Sequence, residues 1–223
     1  CALHRPGGQD VSLDTSHWLA QIEALASRAW RVLAFACRPG DSPGERLRFH
    51  DVESGLSLIA LFGLMDPPRI EAIEAVAACR NAGIEVKMIT GDHATTAQAI
   101  AGQFGLVDGG RVLTGRELDT MNDDAFAEAS AQTNVFARTT PEHKLKLVRA
   151  LQTKGLTVAM TGDGVNDAPA LKQAYIGVTM GRKCTATARK ASEMVLVDDN
   201  LASIVQGVEG GRTGTDKVSK RMM

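Results

Sequence analysis

The alternation of apolar and polar positions along these 223 residues resolves into a series of short elements. Ser16 stands ahead of Leu19, Ile22, Leu25 and Ala26, whose i, i+3, i+4 spacing predicts a helix. Val32-Leu33-Ala34-Phe35-Ala36-Cys37 predicts a short buried strand, broken by Pro39-Gly40 and Pro43-Gly44. A second strand is expected over about residues 56–64. Asp66-Pro67-Pro68-Arg69 follows, and its two prolines fix the backbone and remove two N–H donors. A stiff joint and a domain boundary are expected there, with residues 1–65 before it and 66–212 after it.

Beyond the joint the pattern becomes regular. A helix over 70–81 ends at Gly83, a strand over 84–89 ends in Thr90-Gly91-Asp92, and a helix over 94–104 ends at Gly105. From Val135 the alternation returns: a strand, a helix opened by Pro141 and running to Gln152, Gly155, a strand over 156–160, then Thr161-Gly162-Asp163-Gly164. Ile176-Gly177-Val178 and Met194-Val195-Leu196-Val197 supply two more strands. Short apolar strands alternating with amphipathic helices predict an α/β fold, a Rossmann-like parallel sheet covered on both faces.

Composition narrows the function. With 44% hydrophobic and 23% charged residues the chain has the makings of a packed core, which excludes disorder. The formal charge of -1 gives no overall attraction to nucleic acid or anionic lipid, so any phosphate site must be local. Cys1, Cys37, Cys79 and Cys184 lie far apart without a C-x-x-C pair, which reads as unpaired thiols rather than a zinc site or a disulfide scaffold. The most apolar stretch, 56–65, is half the ~20 residues that a spanning helix needs, so these residues are expected to be soluble. The opening Cys1-Ala2-Leu3-His4-Arg5 has neither an initiating Met nor a helix-opening signal, and a fragment of a longer protein is expected.

In open α/β sheets ligands sit beyond the carboxyl ends of the strands, which directs attention to the loops after Ile89 and Met160. Both contain Thr-Gly-Asp: a hydroxyl able to donate to a phosphoryl oxygen, a glycine that admits backbone N–H groups, and a helix N-terminus behind. Asp163 and Asp167 bracket Gly164-Val165-Asn166, and a turn there would bring the carboxylates together. At ~5 Å and an effective dielectric of ~20 they would repel by roughly 3 kcal/mol, enough to protonate one or recruit a hard cation such as Mg²⁺. The plainer alternative is an Asp-Gly turn followed by an N-cap aspartate. Lys144, near the start of the helix opened by Pro141, opposes the helix dipole unless an anion holds it; the alternative is a solvated lysine beside Lys146. Arg138 at a strand's end is equally open to both readings. No G-x-G-x-x-G follows the first strand, and no Walker-type P-loop or G-x-S-x-G elbow occurs. His4, His17, His50, His93 and His143 have no metal-ligand spacing.

Taken jointly, Asp66-Pro67-Pro68-Arg69, Met88-Ile89-Thr90-Gly91-Asp92, Phe136-Ala137-Arg138 with Pro141 and Lys144, and Thr161-Gly162-Asp163-Gly164-Val165-Asn166-Asp167-Ala168-Pro169-Ala170-Leu171 resemble the cytoplasmic catalytic region of P-type cation-transporting ATPases, type II most of all. Ala191-Ser192-Glu193-Met194-Val195-Leu196 continues the match. The resemblance implies a haloacid-dehalogenase-like phosphorylation domain after a hinge at 66–69, preceded by the C-terminal part of an α+β nucleotide-binding domain. It implies that Thr90 holds the transferred phosphoryl group, that Lys144 neutralises its charge, and that Asp163 binds Mg²⁺ with Asp167 and Asn166 in support. Arg38, Gly91, Asp92 and Arg138 would meet the nucleotide, with ATP as substrate.

The family's acceptor aspartate lies in a D-K-T-G-T motif that is absent here, as are the K-G-A and T-G-E motifs. The expectation is therefore a fragment inactive by itself, whose partners are ATP and the rest of a pump: the nucleophile strand, actuator domain and membrane helices, with a transported cation. Its expected place is the cytoplasmic face of a membrane. Cys184 stands where the family usually has glycine, and 213–223 forms an unmatched polar, basic tail. Two rivals are a soluble haloacid-dehalogenase-type phosphatase, for which Val11-Ser12-Leu13-Asp14 offers a weak nucleophile motif, and a catalytically incomplete nucleotide- or Mg²⁺-binding module.

Overall fold

A computed structural model describes residues 2–3, 11–38, 52–107, 110–182 and 184–221. The chain divides into two compact units, Cys1–Pro67 and Pro68–Met223. The Pro39-Gly40 and Pro43-Gly44 breaks fall outside the described residues.

In the first unit, β1 (Ala2–Leu3), β2 (Val11–Ser12), α1 (Thr15–Ala26), β3 (Arg31–Cys37) and β4 (Ser57–Leu64) follow in order. The sheet order is β2-β1-β4-β3, with β1 and β4 parallel and the other pairs antiparallel. Asp14 caps α1, its Oδ1 accepting the His17 N–H at 3.1 Å. Strand β3 lies where the apolar run predicts a strand, but it is not buried: Leu33 is 41% and Phe35 50% exposed. Strand periodicity explains the difference. Trp30 packs over Gly63, the register partner of Val32, whereas the face carrying Leu33, Phe35, Phe62 and Leu64 has no cover among the described residues. Phe35 and Phe62 meet edge to face there, ring centroids 4.8 Å apart.

The second unit contains α2 (Ile70–Asn81), β5 (Met88–Ile89), α3 (Ala94–Gln103), β6 (Val112–Thr114), α4 (Gly115–Asp119), α5 (Asp123–Gln132), β7 (Val135–Ala137) and α6 (Pro141–Thr153). After these come β8 (Ala159–Thr161), a 3₁₀ turn (Val165–Asp167), α7 (Ala168–Gln173), β9 (Ile176–Met180), α8 (Ala186–Ala191), β10 (Met194–Leu196) and α9 (Ala202–Arg221). The predicted single sheet appears as two parallel three-stranded sheets, β5-β7-β6 and β8-β9-β10. The strand expected over 84–89 is reduced to two residues, because β7, its one ladder partner among the described residues, is itself short. The residues before it are engaged elsewhere. Ile84 N–H closes the end of α2 on Cys79 O, and Lys87 Nζ donates to the carbonyls of Ala131 and Thr133. Residues 202–221 form one helix, so the backbone of most of the polar tail is helical.

Strand β7 shows how the helices cover both faces. Val135 and Ala137 pack with Val76, Ala97, Ala101 and Leu106, while Phe136 between them points to Leu113, Leu118, Phe126 and Leu147. Helix α6 serves two cores: Leu147 belongs with Phe136, and Val148 with Met160, Ala170 and Leu171. Ile89 of β5 packs against both. The loops after β5, β7 and β8 are thus carried on elements that share packing around α6. Among the described residues no helix is long and apolar enough to cross a membrane.

Candidate functional site

Thr90 leaves β5 with its backbone still in the sheet, its N–H donating to Phe136 O at 2.9 Å. Its carbonyl accepts both the N–H and the hydroxyl of Thr139, at 3.1 and 3.0 Å. Arg138, at φ +51, sends its N–H to Asp92 O at 3.0 Å, so the loops after β5 and β7 are stitched together. The Thr90 hydroxyl donates to Asp92 Oδ2 at 2.8 Å and accepts the Asp92 N–H at 3.1 Å, which fixes its direction. Gly91 and the Arg138 side chain are exposed at this rim.

Two residues past Thr139 the chain enters α6. Thr140 is its N-cap and Pro141 its first residue, with Thr140 and His143 forming a reciprocal capping pair. Lys144 therefore sits in the first turn, and the anion that such a lysine needs is present: Nζ lies 2.6 Å from Asp167 Oδ1. Lys144 and Asp167 side chains are 24% and 14% exposed, so this pair is shielded more than a surface bridge.

On the other side, the loop after β8 is tied to β9. Gly162 N–H donates to Val178 O at 3.1 Å, and Thr179 Oγ1 donates to Gly162 O at 2.8 Å. Asp163 Oδ1 accepts the Met180 N–H at 3.1 Å, while Asp167 Oδ2 accepts the Gly164 N–H at 3.2 Å. The two carboxylates are thus turned to different partners, with the Lys144 ammonium beside Asp167. Asn166 is exposed on the 3₁₀ turn between them. Among the described residues no hydrogen bond joins Thr90, Lys144 and Asp163 to one another; Thr139 ties the Thr90 loop to the start of α6, and Asp167 ties Lys144 to the loop that carries Asp163.

Gly162 makes the Asp167 placement possible. A Cβ there would lie 2.5 Å from Asp167 Cβ and 2.9 Å from Cγ, within the repulsive range. Gly162→Ala is expected to push Asp167 off Lys144 and to destabilise the chain by about 1–3 kcal/mol, read from a denaturant midpoint.

Arg38 follows β3 directly, its exposed side chain running past Gly55, whose added Cβ would lie 3.6 Å from Nε. Asp14, the nucleophile of the phosphatase alternative, is occupied as a helix cap. Sequence reasoning missed Thr139 and the linkage of buried His143 to Asp119 (Nε2 to Oδ1, 2.8 Å). The Thr140-Pro141 pair was a readable helix-start signal; the long-range contact had none. The donor set fits part of a Mg²⁺ shell: Asp163 has a second carboxylate oxygen besides the one on Met180, and Asn166 adds a neutral one. Among the described residues no group of three or more His, Cys, Asp or Glu is placed to hold a metal, so water or phosphate oxygens would complete that shell.

This combination, parallel strands whose Thr-Gly-Asp loops flank a helix carrying an anchored lysine, agrees with the comparison to protein families. Residues 25–174 match the haloacid dehalogenase-like hydrolases, and the chain belongs to that family. Its relatives are cation-transporting ATPases. It is 52% identical over 208 residues to the cation-transporting ATPase pma1 of Synechocystis, covering 92% of this chain and 23% of that protein. It is 50% identical over 213 residues to the probable cation-transporting ATPase F of Mycobacterium tuberculosis, covering 93% of this chain and 24% of the relative. The calcium-transporting ATPase of Bacillus subtilis is 46% identical over 202 residues, 90% of this chain and 23% of its own length. The chain spans about a quarter of the length of these relatives.

Proposed function

We propose that this chain is the nucleotide- and phosphoryl-handling portion of a cation pump, in which ATP phosphorylates an aspartate lying outside these residues. The observation that carries the reading is the pairing of Lys144 with Asp167 beside two Thr-Gly-Asp loops. Phosphoryl transfer asks the protein for positioning and charge neutralisation more than for proton transfer, and these residue types supply both. Strand pairing supports an external nucleophile: among the described residues β5 pairs only with β7 and β8 only with β9. A parallel strand from the rest of the pump has two edges beside these loops on which to dock.

In this reading Thr90 turns its hydroxyl from Asp92 to a phosphoryl oxygen, Gly91 adds its backbone N–H, and Lys144 shares its charge between Asp167 and the phosphoryl group. Asp163, supported by Asn166 and Asp167, would hold Mg²⁺, which when bound offsets negative charge on the transferring group. Arg138 and Asp92 in the second unit, and separately Arg38 in the first, are the residues assigned to the nucleotide. The partners are ATP, the remainder of the pump with its actuator domain and membrane helices, and a transported cation, at the cytoplasmic face of a membrane.

Calorimetry on this chain should detect Mg²⁺ binding in the presence of ATP, weakened about tenfold or more by Asp163→Asn. Unchanged Mg²⁺ affinity in that variant removes the metal assignment. With γ-labelled ATP the chain alone should acquire no acid-stable, hydroxylamine-sensitive label, and its appearance would contradict an external nucleophile.

A further inference from the structure

We infer that His143 is a positioning residue for Lys144, locked in place by Asp119; the inference rests on the reading of Lys144 as the phosphate-facing cation. The imidazole is buried, 9% exposed, and both of its nitrogens are engaged. Nδ1 lies 3.0 Å from the Thr140 nitrogen, and a backbone N–H can only donate, so Nδ1 accepts. Nε2 then carries the proton and donates to Asp119 Oδ1 at 2.8 Å.

An ordinary capping box uses a Glu or Gln at this position, as Glu117 does in α4. Here a rigid ring does the same work and also reaches across to the C-terminal end of α4. Helix α4 is itself fixed at its opposite end. Thr114 and Glu117 close the N-terminus of α4, and the Thr114 N–H, Arg111 and the Thr114 hydroxyl hold the Glu117 carboxyl below its usual range. Gly115 allows α4 to press against the neighbouring loop, since a Cβ there would collide with Arg138 O and lie 3.0 Å from His143 Cε1. Lys144 is the next residue, its N–H donating to Thr140 O at 3.2 Å. The His143 ring thus sets where the first turn of α6 stands relative to the Arg138–Thr140 loop, and with it the origin of the lysine side chain that reaches Asp167.

The test is trace acetylation with acetic anhydride, read residue by residue by mass spectrometry as the ratio of Lys144 to Lys146. Lys146 is an internal reference on the same helix, paired with Asp123 at 3.1 Å and lying 4.5 Å from the Phe126 ring centroid. His143→Leu keeps apolar bulk and loses both bonds, and should raise the ratio about fivefold. Asp119→Ala, at a side chain 70% exposed, leaves the core alone and should raise it about threefold. His143→Gln, whose amide can accept from Thr140 and donate to Asp119, should stay near wild type. A ratio unmoved by both His143→Leu and Asp119→Ala overturns the inference, as does a Gln variant that behaves like the Leu variant. Global loosening raises both lysines and leaves the ratio unchanged. Failure to bind Mg²⁺ and ATP, with this pattern intact, would count against the functional reading alone.

Discussion

Lys144→Met is expected, on the proposed reading of this chain as part of a pump, to lower phosphoryl transfer in the complete protein by about a thousandfold or more, the scale seen when a preorganised charge facing the reacting group is removed. Methionine keeps the length and the apolar stem and deletes only the ammonium. The same substitution has a second effect measurable on this chain by itself. Asp167 is 14% exposed and would keep the Gly164 N–H as its remaining partner, having lost a 2.6 Å charged bond. A cost of about 1.5–3 kcal/mol follows, read from the denaturant midpoint. The two effects separate cleanly. Adding Asp167→Asn relieves the unpaired charge and should recover part of the stability while leaving phosphoryl transfer low. Full transfer activity in Lys144→Met would remove the lysine from the reaction.

Phe136→Ala is expected to cost about 3–5 kcal/mol and, in a unit whose β7 has three residues, to abolish cooperative unfolding near room temperature. Phe136 is 0% exposed and packs among Leu113, Leu118, Phe126 and Leu147, which draw on β6, α4, α5 and α6. Its backbone carbonyl also accepts the Thr90 N–H, so the cavity opens directly behind the first Thr-Gly-Asp loop. Thermal scans and near-ultraviolet circular dichroism of the variant should show a broadened transition and loss of fixed aromatic signals. A sharp transition within a few degrees of wild type would mean that this core does not hold the loop.

Much of the fold could be read directly. Helix α2 spans its predicted range, α6 overruns its range by one residue, and α3 stops one residue short of it, because glycine and proline punctuate those helices in sequence. Residues 106–134 were not resolved into elements, although Thr114 and Glu117 form a capping box there, because the apolar positions are too few to reveal a period. The burial of β3 was misjudged for a different reason. Its run of apolar residues looks the same whether one face or both are covered, and coverage depends on other parts of the chain.

The candidate site divides in the same way. Local chemistry specified the Thr-Gly-Asp loops, the Pro141 helix start and the place of Lys144 in the first turn, since each depends on residues within a few positions of one another. Only the tertiary structure decided that Asp167 turns to Lys144 while Asp163 turns to Met180, that Thr139 clamps Thr90, and that His143 reaches Asp119. Those partners are separated by 17 to 49 positions in the chain, and which donor meets which acceptor is settled by how helices and sheets pack, not by any local preference of the residues themselves.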